Sequence, residues 1–160
     1  MLSQPAPPRE HLDLVGDLVY QSVELLDESL WNEWLALCAD SFVYKIVAFS
    51  PEIRHDMVWL EHGLQGMLNL VDLLPKHQSD RSRLTRHTSL YRVSQRDDGD
   101  YDAVSSVAVY RTTLDGGVTT LFALGKYYDS ARVEAGRATF LSRTVRLETR
   151  DLGLGTHFPL

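Results

Sequence analysis

The chain has 160 residues, of which 16 are basic and 22 acidic, so its formal net charge is −6. This length predicts one domain that buries a core without disulfide or metal staples. The acidic balance argues against nucleic acid as a partner, because phosphate binding needs clustered Lys and Arg. The single cysteine, Cys38, excludes a disulfide framework and a Cys-rich zinc or iron–sulfur site built by this chain alone.

The N-terminal residues predict an extended arm over 1–9, followed by one domain over 10–160. Pro5, Pro7 and Pro8 favour extended backbone, and the basic start and apolar run of a secretory signal are missing. The apolar stretch 58–74 is interrupted by charged and polar residues, which argues against a membrane span and a membrane partner. The predicted location is the cytoplasm.

Helical periodicity dominates the first part of the chain. Apolar residues at helical spacing predict a helix over 10–26, and a second short helix whose one face carries Trp31, Trp34, Leu35 and Cys38. Residues 42–49 alternate and are rich in aromatic and β-branched side chains, which predicts a strand ended by Ser50 and Pro51.

The middle of the chain is less definite. Residues 53–60 fit either a strand or the opening of a helix, because apolar side chains fall on odd positions there. From Leu64 the spacing is helical, and Pro75 is predicted to end that helix. Residues 76–82 are predicted to form a polar loop.

The rest of the chain predicts a β-meander. Strands are predicted over 84–95, 101–114, 118–133 and 137–150, separated by glycine-containing turns. Gly125, inside the third of these strands, predicts a bulge or a sharp bend. Helices followed by antiparallel strands indicate an α+β fold. Strands this long are predicted to curl around a helix, giving a cone-shaped sheet with room for a cavity.

Two histidine positions are candidates for chemistry, and a structural role is the alternative for each. His55 and His62, with Asp56 and Glu61 nearby, resemble a metal cluster only loosely, and a hydrogen-bonded or surface role is the preferred interpretation. His87 follows Arg86 on a predicted strand, so one of these two side chains should point into the cone.

An inward His87 would be a candidate general acid or base. In that alternative the chain is a free-standing cone-fold dehydratase or isomerase, in which His87 works with Tyr44 and a carboxylate, Asp27 or Asp56. A small-ligand binding module that uses the same pocket is a further alternative. A buried structural histidine is the simpler interpretation.

Arginines and tyrosines on the later strands indicate a protein-binding face. Arg143 and Arg146 interleave with acidic residues, which favours a subunit interface over an anion site. Arg86, Tyr91 and Arg111 on neighbouring strands would extend this candidate interface. Cys38 lies on an apolar helix face and is predicted to be a core residue with no reactive role.

Several motifs, in this order, resemble the small (β) subunit of Rieske-type ring-hydroxylating oxygenases. Thr85-Arg86-His87 looks like that family's Thr-Arg-His strand, and the matching segments together extend over about 15–150. They are 25–35, 42–46, 58–62, 84–87, 105–111, 125–129 and 141–148. The loop 75–82 and the ending 153–160 are more similar to a divergent branch that includes methanesulfonate monooxygenase.

The resemblance implies a nuclear-transport-factor-like cone and a subunit without catalytic residues, metal or cofactor of its own. It implies that a large α subunit holds the Rieske [2Fe–2S] cluster and the mononuclear iron, in an assembly of three α and three β chains. The residue inventory agrees, because a Rieske centre takes two Cys and two His ligands and this chain has one Cys.

Overall fold

The computed structural model describes residues 5–77, 81–153 and 158–160, which form three helices and six strands. The helices are α1 (Arg9–Asp27), α2 (Trp31–Leu35) and α3 (Leu64–His77). The strands are β1 (Cys38–Ser50), β2 (His55–Gly63), β3 (Arg83–Gln95), β4 (Tyr101–Thr112), β5 (Thr119–Glu134) and β6 (Arg137–Leu147).

The described strands form one curved sheet in the order β2-β1-β6-β5-β4-β3. Neighbours pair antiparallel throughout, except that β1 runs parallel to β6. The predicted meander therefore supplies four strands, and the β1–β2 hairpin joins it at β6. This is the predicted α+β cone of the nuclear-transport-factor-like fold.

Helix α1 lies on the concave side of the sheet, where it packs against β3 and β6. The predicted helix 10–26 is confirmed and is one residue longer at each end. Its buried stripe follows from apolar side chains at helical spacing, which a single face presents to the core. The stripe contains Val15, Gly16, Leu18, Val19, Ser22, Val23 and Leu26.

The predicted hairpin turns are confirmed where the backbone requires glycine. Gly99, Gly116 and Gly136 have φ of 90°, 79° and 72° in the turns that follow β3, β4 and β5. Residues with a Cβ are disfavoured at these angles, so the three glycines locate the turns from sequence alone.

In the ambiguous segment 53–60, residues 53–54 lie in a turn and residues 55–60 belong to a strand and not to a helix. Strand β2 pairs with β1, and the Lys45 ammonium lies 3.2 Å from the Glu61 carboxylate across the pair. His55 lies opposite Ser50 and His62 opposite Tyr44 at separate places along β2. The strand thus separates the two rings that a helix would have brought to one face.

Cys38 and Pro75 depart from their predicted roles in secondary structure. Helix α2 ends at Leu35, and Cys38 begins β1, because Leu37 accepts a hydrogen bond from the backbone of Phe140 on β6 (2.9 Å). Pro75 lies inside α3, which continues to His77. The proline removes one backbone hydrogen bond of the helix. Helix α3 continues nevertheless, because its buried side chains Met67, Val71 and Leu74 hold it on the core.

Other boundaries shift by a few residues. Residues 76–77 of the predicted loop are helical, and 78–80 lie outside the described residues. The predicted strand 101–114 ends at Thr112, because Thr113 closes a turn by donating its backbone N–H to Val118 (3.0 Å). The predicted strand 137–150 ends at Leu147. Of the predicted arm, 1–4 lie outside the described residues and Arg9 already begins α1.

Gly125 is not at a bulge. The pairing of β5 with β4 passes through this residue without a register shift, and the pairing with β6 ends here, opposite Leu147. A Cβ at this position would lie 2.2 Å from the carbonyl oxygen of Arg146 and 2.9 Å from the Cα of Leu147. Glycine is required here because the backbone of β6 approaches too closely for any side chain.

Candidate functional site

The alternation of β3 places Arg86 inside the cone and His87 outside. Arg86 is 5% exposed, and its backbone N–H and Nη1 both donate to Asp27 Oδ1, at 3.0 and 2.9 Å. His87 is exposed and packs edge-on against Tyr110, with ring centroids 5.3 Å apart. The sequence predicted one inward side chain of this pair, and it is the arginine.

The four residues of the dehydratase or isomerase alternative do not assemble into one site. Tyr44 lies in the interior, where its hydroxyl accepts a hydrogen bond from the backbone N–H of Leu160 (2.9 Å). Asp27 and His87 border one cleft of about 410 Å³, yet no hydrogen bond joins His87 to a carboxylate in the described residues. Asp56 is held at the other end of the sheet. The acid–base constellation is therefore not formed.

A buried ion pair occupies the interior instead. Arg143 donates from Nε and Nη2 to the two carboxylate oxygens of Asp129, at 2.7 and 3.0 Å, and from Nη2 to the hydroxyl of Ser22 at 2.9 Å. Its guanidinium lies 4.0 Å from the centroid of the Tyr127 ring. Burial raises the pKa of Asp129, and the charge of Arg143 opposes that rise.

This pair was missed by the sequence reasoning, although a signal for it exists. Tyr127, Asp129 and Ala131 alternate along β5, so an inward Tyr127 places Asp129 on the same inner face. A carboxylate at such a position needs a buried cation as its partner, because an unpaired buried charge is too costly.

The candidate interface residues divide into two groups. Arg143 is 1% exposed and Arg86 is also buried, so the prediction that they form a surface contact is wrong: each pairs with a carboxylate within the chain. Tyr91 is 57% exposed on β3. Arg111 and Arg146 are partly exposed on β4 and β6.

Arg146 marks the outer side of the sheet at the β1–β2 hairpin. Its two terminal nitrogens donate to the two carboxylate oxygens of Asp56, each at 2.9 Å. These hydrogen bonds hold the pKa of Asp56 below its usual value. Exposed apolar side chains, Phe49 and Val58 among them, lie on the strands beside this pair. The outer face thus combines paired charges with uncovered apolar surface.

Comparison with known proteins decides the family. The chain is 46% identical over 164 residues to the methanesulfonate monooxygenase hydroxylase subunit beta of Methylosulfonomonas methylovora, covering 98% of this chain and 91% of that protein. It is 30% identical over 146 residues to the 2-aminobenzenesulfonate 2,3-dioxygenase subunit beta of Alcaligenes sp., covering 91% and 97%. The chain belongs to the β subunits of oxygenase hydroxylase components.

Solved structures show the same fold for this β subunit. Naphthalene 1,2-dioxygenase with bound indole matches with a TM-score of 0.74 at 21% identity, over 91% of this chain and 83% of that one. The β subunit of benzoate 1,2-dioxygenase from Burkholderia mallei matches with a TM-score of 0.64 at 13% identity, over 84% and 88%. No family model matches the chain. The resemblance read from the ordered motifs, including its methanesulfonate branch, is confirmed.

The described residues of the β subunit contain neither a cluster of metal ligands nor a membrane-spanning helix. Within 5–77, 81–153 and 158–160, His, Cys, Asp and Glu nowhere form a group of three or more that could hold a metal ion. No helix in that part of the chain is long and apolar enough to cross a membrane.

Cys38 of the β subunit lies in the core, as predicted. Its Sγ is 3.7 Å from the carbonyl oxygen of Trp34, and burial raises the pKa of the thiol to about 12. A raised pKa keeps a thiol protonated, so at pH 8 only about one molecule in ten thousand carries the thiolate.

We therefore expect Cys38 in the folded protein not to react with Ellman's reagent at pH 8 over an hour. In guanidinium chloride the pKa returns to its ordinary value and one thiol per chain should titrate within minutes. Rapid reaction of the native protein, with its circular dichroism unchanged, would contradict the buried position.

Proposed function

We propose that this chain is the non-catalytic β subunit of a Rieske non-heme iron oxygenase, which assembles with a large α subunit as three α and three β chains. The observation that carries the proposal is the 46% identity across 98% of the chain to a hydroxylase β subunit. We also propose that the complex works in the cytoplasm, as the sequence predicts.

The α subunit is proposed to hold the Rieske cluster and the mononuclear iron, because this chain does not fit them. A Rieske centre takes two Cys and two His ligands, and the chain's single cysteine is a buried, protonated thiol in the core. The buried carboxylate Asp129 is already bound by Arg143 on both of its oxygens. The contribution of this chain is therefore its shape and its surface.

The substrate proposed for the complex is an organic sulfonate. Both curated relatives carry a sulfonate in their names, one an alkyl and the other an aryl sulfonate. Oxygen uptake by the complex, supplied with its reductase, should be stimulated by methanesulfonate or 2-aminobenzenesulfonate and not by benzoate. Uptake with benzoate alone would place the complex with the aromatic-acid oxygenases instead.

Co-expression with the large subunit tests the assembly directly. We expect the two chains to co-purify at equal stoichiometry, with iron and the visible Rieske absorption present only when the α subunit is present. His87→Ala in the β subunit should leave the activity of the complex within about twofold, since no hydrogen bond joins His87 to a carboxylate among the described residues. A stable monomer with dehydratase activity that His87→Ala abolishes would contradict the proposal.

The outer sheet face is proposed as the surface that contacts neighbouring subunits. Tyr91 and Arg146 remain as its candidate residues after the buried arginines are removed. Arg111 does not belong to this surface, because it pairs with Leu84 and shares the inner face with Val109. Tyrosine and arginine are the residue types that most often dominate binding energy at protein interfaces.

Tyr91→Ala is therefore expected to weaken association with the α subunit by about 30-fold, the ratio that corresponds to roughly 2 kcal/mol. The isolated β subunit should keep its melting temperature, because Tyr91 is mostly exposed. Val118→Ala, at a similarly exposed site between β4 and β5, is the matched control. Equal affinities of the two variants, measured by titration calorimetry, would remove Tyr91 from the interface.

A further inference from the structure

Residues 158–160 enter the concave side of the sheet and are held there as a ligand would be. Leu160 is 0% exposed. Its backbone N–H donates to the Tyr44 hydroxyl at 2.9 Å, and its backbone oxygen lies 3.3 Å from the same hydroxyl. Arg86 Nη2 donates to the carbonyl oxygen of Pro159 at 2.7 Å. Two buried side chains, from β1 and β3, thus bind the backbone of this short segment.

An open cleft of about 500 Å³ lies directly beside the segment. Phe158 and Arg86 form part of its wall, so the cleft borders the space that residues 158–160 fill. Its described lining carries more positive than negative side chains. The charged ones are Arg81, Arg83, Arg86, Asp27 and Glu28. Arg83 pairs with Glu28 at 3.0 Å and Arg86 with Asp27 at 2.9 Å, so Arg81 is the charge in excess. That one positive charge favours an anionic group at the mouth over a cationic one.

Polar atoms in the interior have hydrogen-bonding capacity that the described chain does not use. The Tyr127 hydroxyl and Arg86 Nε are buried and have no hydrogen-bond partner among the described residues. Buried polar groups are nearly always satisfied in folded proteins, by protein atoms, ordered water or a ligand. An interior built only for stability would be expected to carry apolar atoms at these places.

We propose that residues 158–160 are a displaceable internal occupant of a ligand pocket that opens into this cleft. When the segment leaves, Tyr44 Oη and Arg86 Nη2 are available to a small molecule with an apolar body and an oxygen acceptor. The charge at the mouth favours a carboxylate or another monoanion. This inference concerns the isolated β subunit and does not depend on the proposed function.

Hydrogen exchange on the wild-type chain tests whether the segment opens by itself. The amide of Leu160 should exchange at least tenfold faster than that of Val145 in the centre of β6, and its rate should be insensitive to low denaturant, as local opening requires. Exchange of both amides at one rate, with one denaturant dependence, would mean that the segment opens only on global unfolding. That result would overturn the proposal.

A full-length variant tests whether the vacated space binds. Leu160→Asp places a charge where the structure buries an apolar side chain, so the segment should leave. Leu121→Asp is the matched control, because Leu121 is 53% exposed on β5 and does not line this cleft. The probe is the tripeptide N-acetyl-Phe-Pro-Leu, which carries the sequence of the segment.

We expect the peptide to bind the Leu160→Asp variant and raise its melting temperature, and to leave the Leu121→Asp variant unchanged. Adding Tyr44→Phe should weaken peptide binding by about tenfold, the effect of losing one hydrogen-bonding hydroxyl. A folded Leu160→Asp variant that does not bind the peptide, or binding indifferent to Tyr44→Phe, would overturn the proposal; if this variant does not fold, the exchange rates of the wild type decide.

Discussion

Replacing Asp129 with alanine is expected to lower the free energy of unfolding by about 3–5 kcal/mol. The substitution leaves the guanidinium of Arg143, which is 1% exposed, buried without its counter-charge. The cost is therefore dominated by an uncompensated buried cation, and only in a smaller part by the two lost hydrogen bonds. Urea unfolding followed by circular dichroism measures it.

Asp56→Ala is the matched control, because it removes a carboxylate of the same geometry from the exposed pair with Arg146. Exposed ion pairs contribute little, so its effect should stay below about 1 kcal/mol. The double variant Arg143→Met, Asp129→Leu should recover most of the stability lost by Asp129→Ala, since it removes both charges. Equal losses for Asp129→Ala and Asp56→Ala would contradict the burial of the Arg143 pair.

Gly125→Ala is expected to be the second severe substitution, with a loss of about 3 kcal/mol or more. The added Cβ would lie 2.2 Å from the carbonyl oxygen of Arg146, which is backbone and cannot rotate away. Strands β5 and β6 must therefore separate at this point, breaking the pairing of Gly125 with Leu147. Because Arg146 lies on the proposed contact face, association with the α subunit should weaken as well.

Gly63→Ala provides the comparison at another strand glycine. Its Cβ would meet the nearest atom, the carbonyl oxygen of Phe42, at 3.7 Å, an ordinary van der Waals distance. We expect a change within about 0.5 kcal/mol for this variant, which needs no backbone movement. Comparable melting temperatures for Gly125→Ala and the wild type would show that β6 can move away at little cost, contrary to the close packing observed.

Asp129 and Gly125 both lie on the inner face of the cone. The fold alone does not show whether that face forms an active site. Cone-shaped folds can enclose an active site, and the alternative with His87 rested on that possibility. Here the inner face carries the Arg143–Asp129 pair and is closed by Leu160, while His87 lies outside. The ion pair thus holds the sheet in shape, while the space that Leu160 fills is the part of the interior proposed to take a ligand. The outer face is the part of the molecule proposed to contact neighbouring subunits.

Local pattern was sufficient for most elements. The helix 10–26 and the strands of the meander follow from spacing and from glycine at turns, because amphipathic periodicity is a property of neighbouring residues. Residues 53–60 were left open, since a short odd-spaced apolar run fits a strand as well as a helix. Pairing with β1, on the far side of a tight turn, decided for the strand. Pro75 does not stop α3, because the packing of buried Val71 and Leu74 outweighs the one hydrogen bond that proline removes.

The candidate site was harder to predict, because the phase of a strand is not a local property. Alternation required that Arg86 and His87 point to opposite sides, but only the carboxylate of Asp27, on α1, shows which of them is inside. Arg143 was assigned to the surface on the strength of its charge. A buried partner on the neighbouring strand reverses that assignment.

By itself the sequence determined the element order apart from β2, the α+β class, the family through its ordered motifs, and the limit that one cysteine places on any redox site. The tertiary structure alone decided which face of β3 is inner, which arginines are buried, and that Leu160 closes the interior. These depend on contacts such as Tyr44 with Leu160, 116 residues apart, and Arg86 with Asp27, 59 apart. The physical reason is that periodicity arises between neighbours, whereas long-range partners are selected by the burial and charge balance of the whole fold.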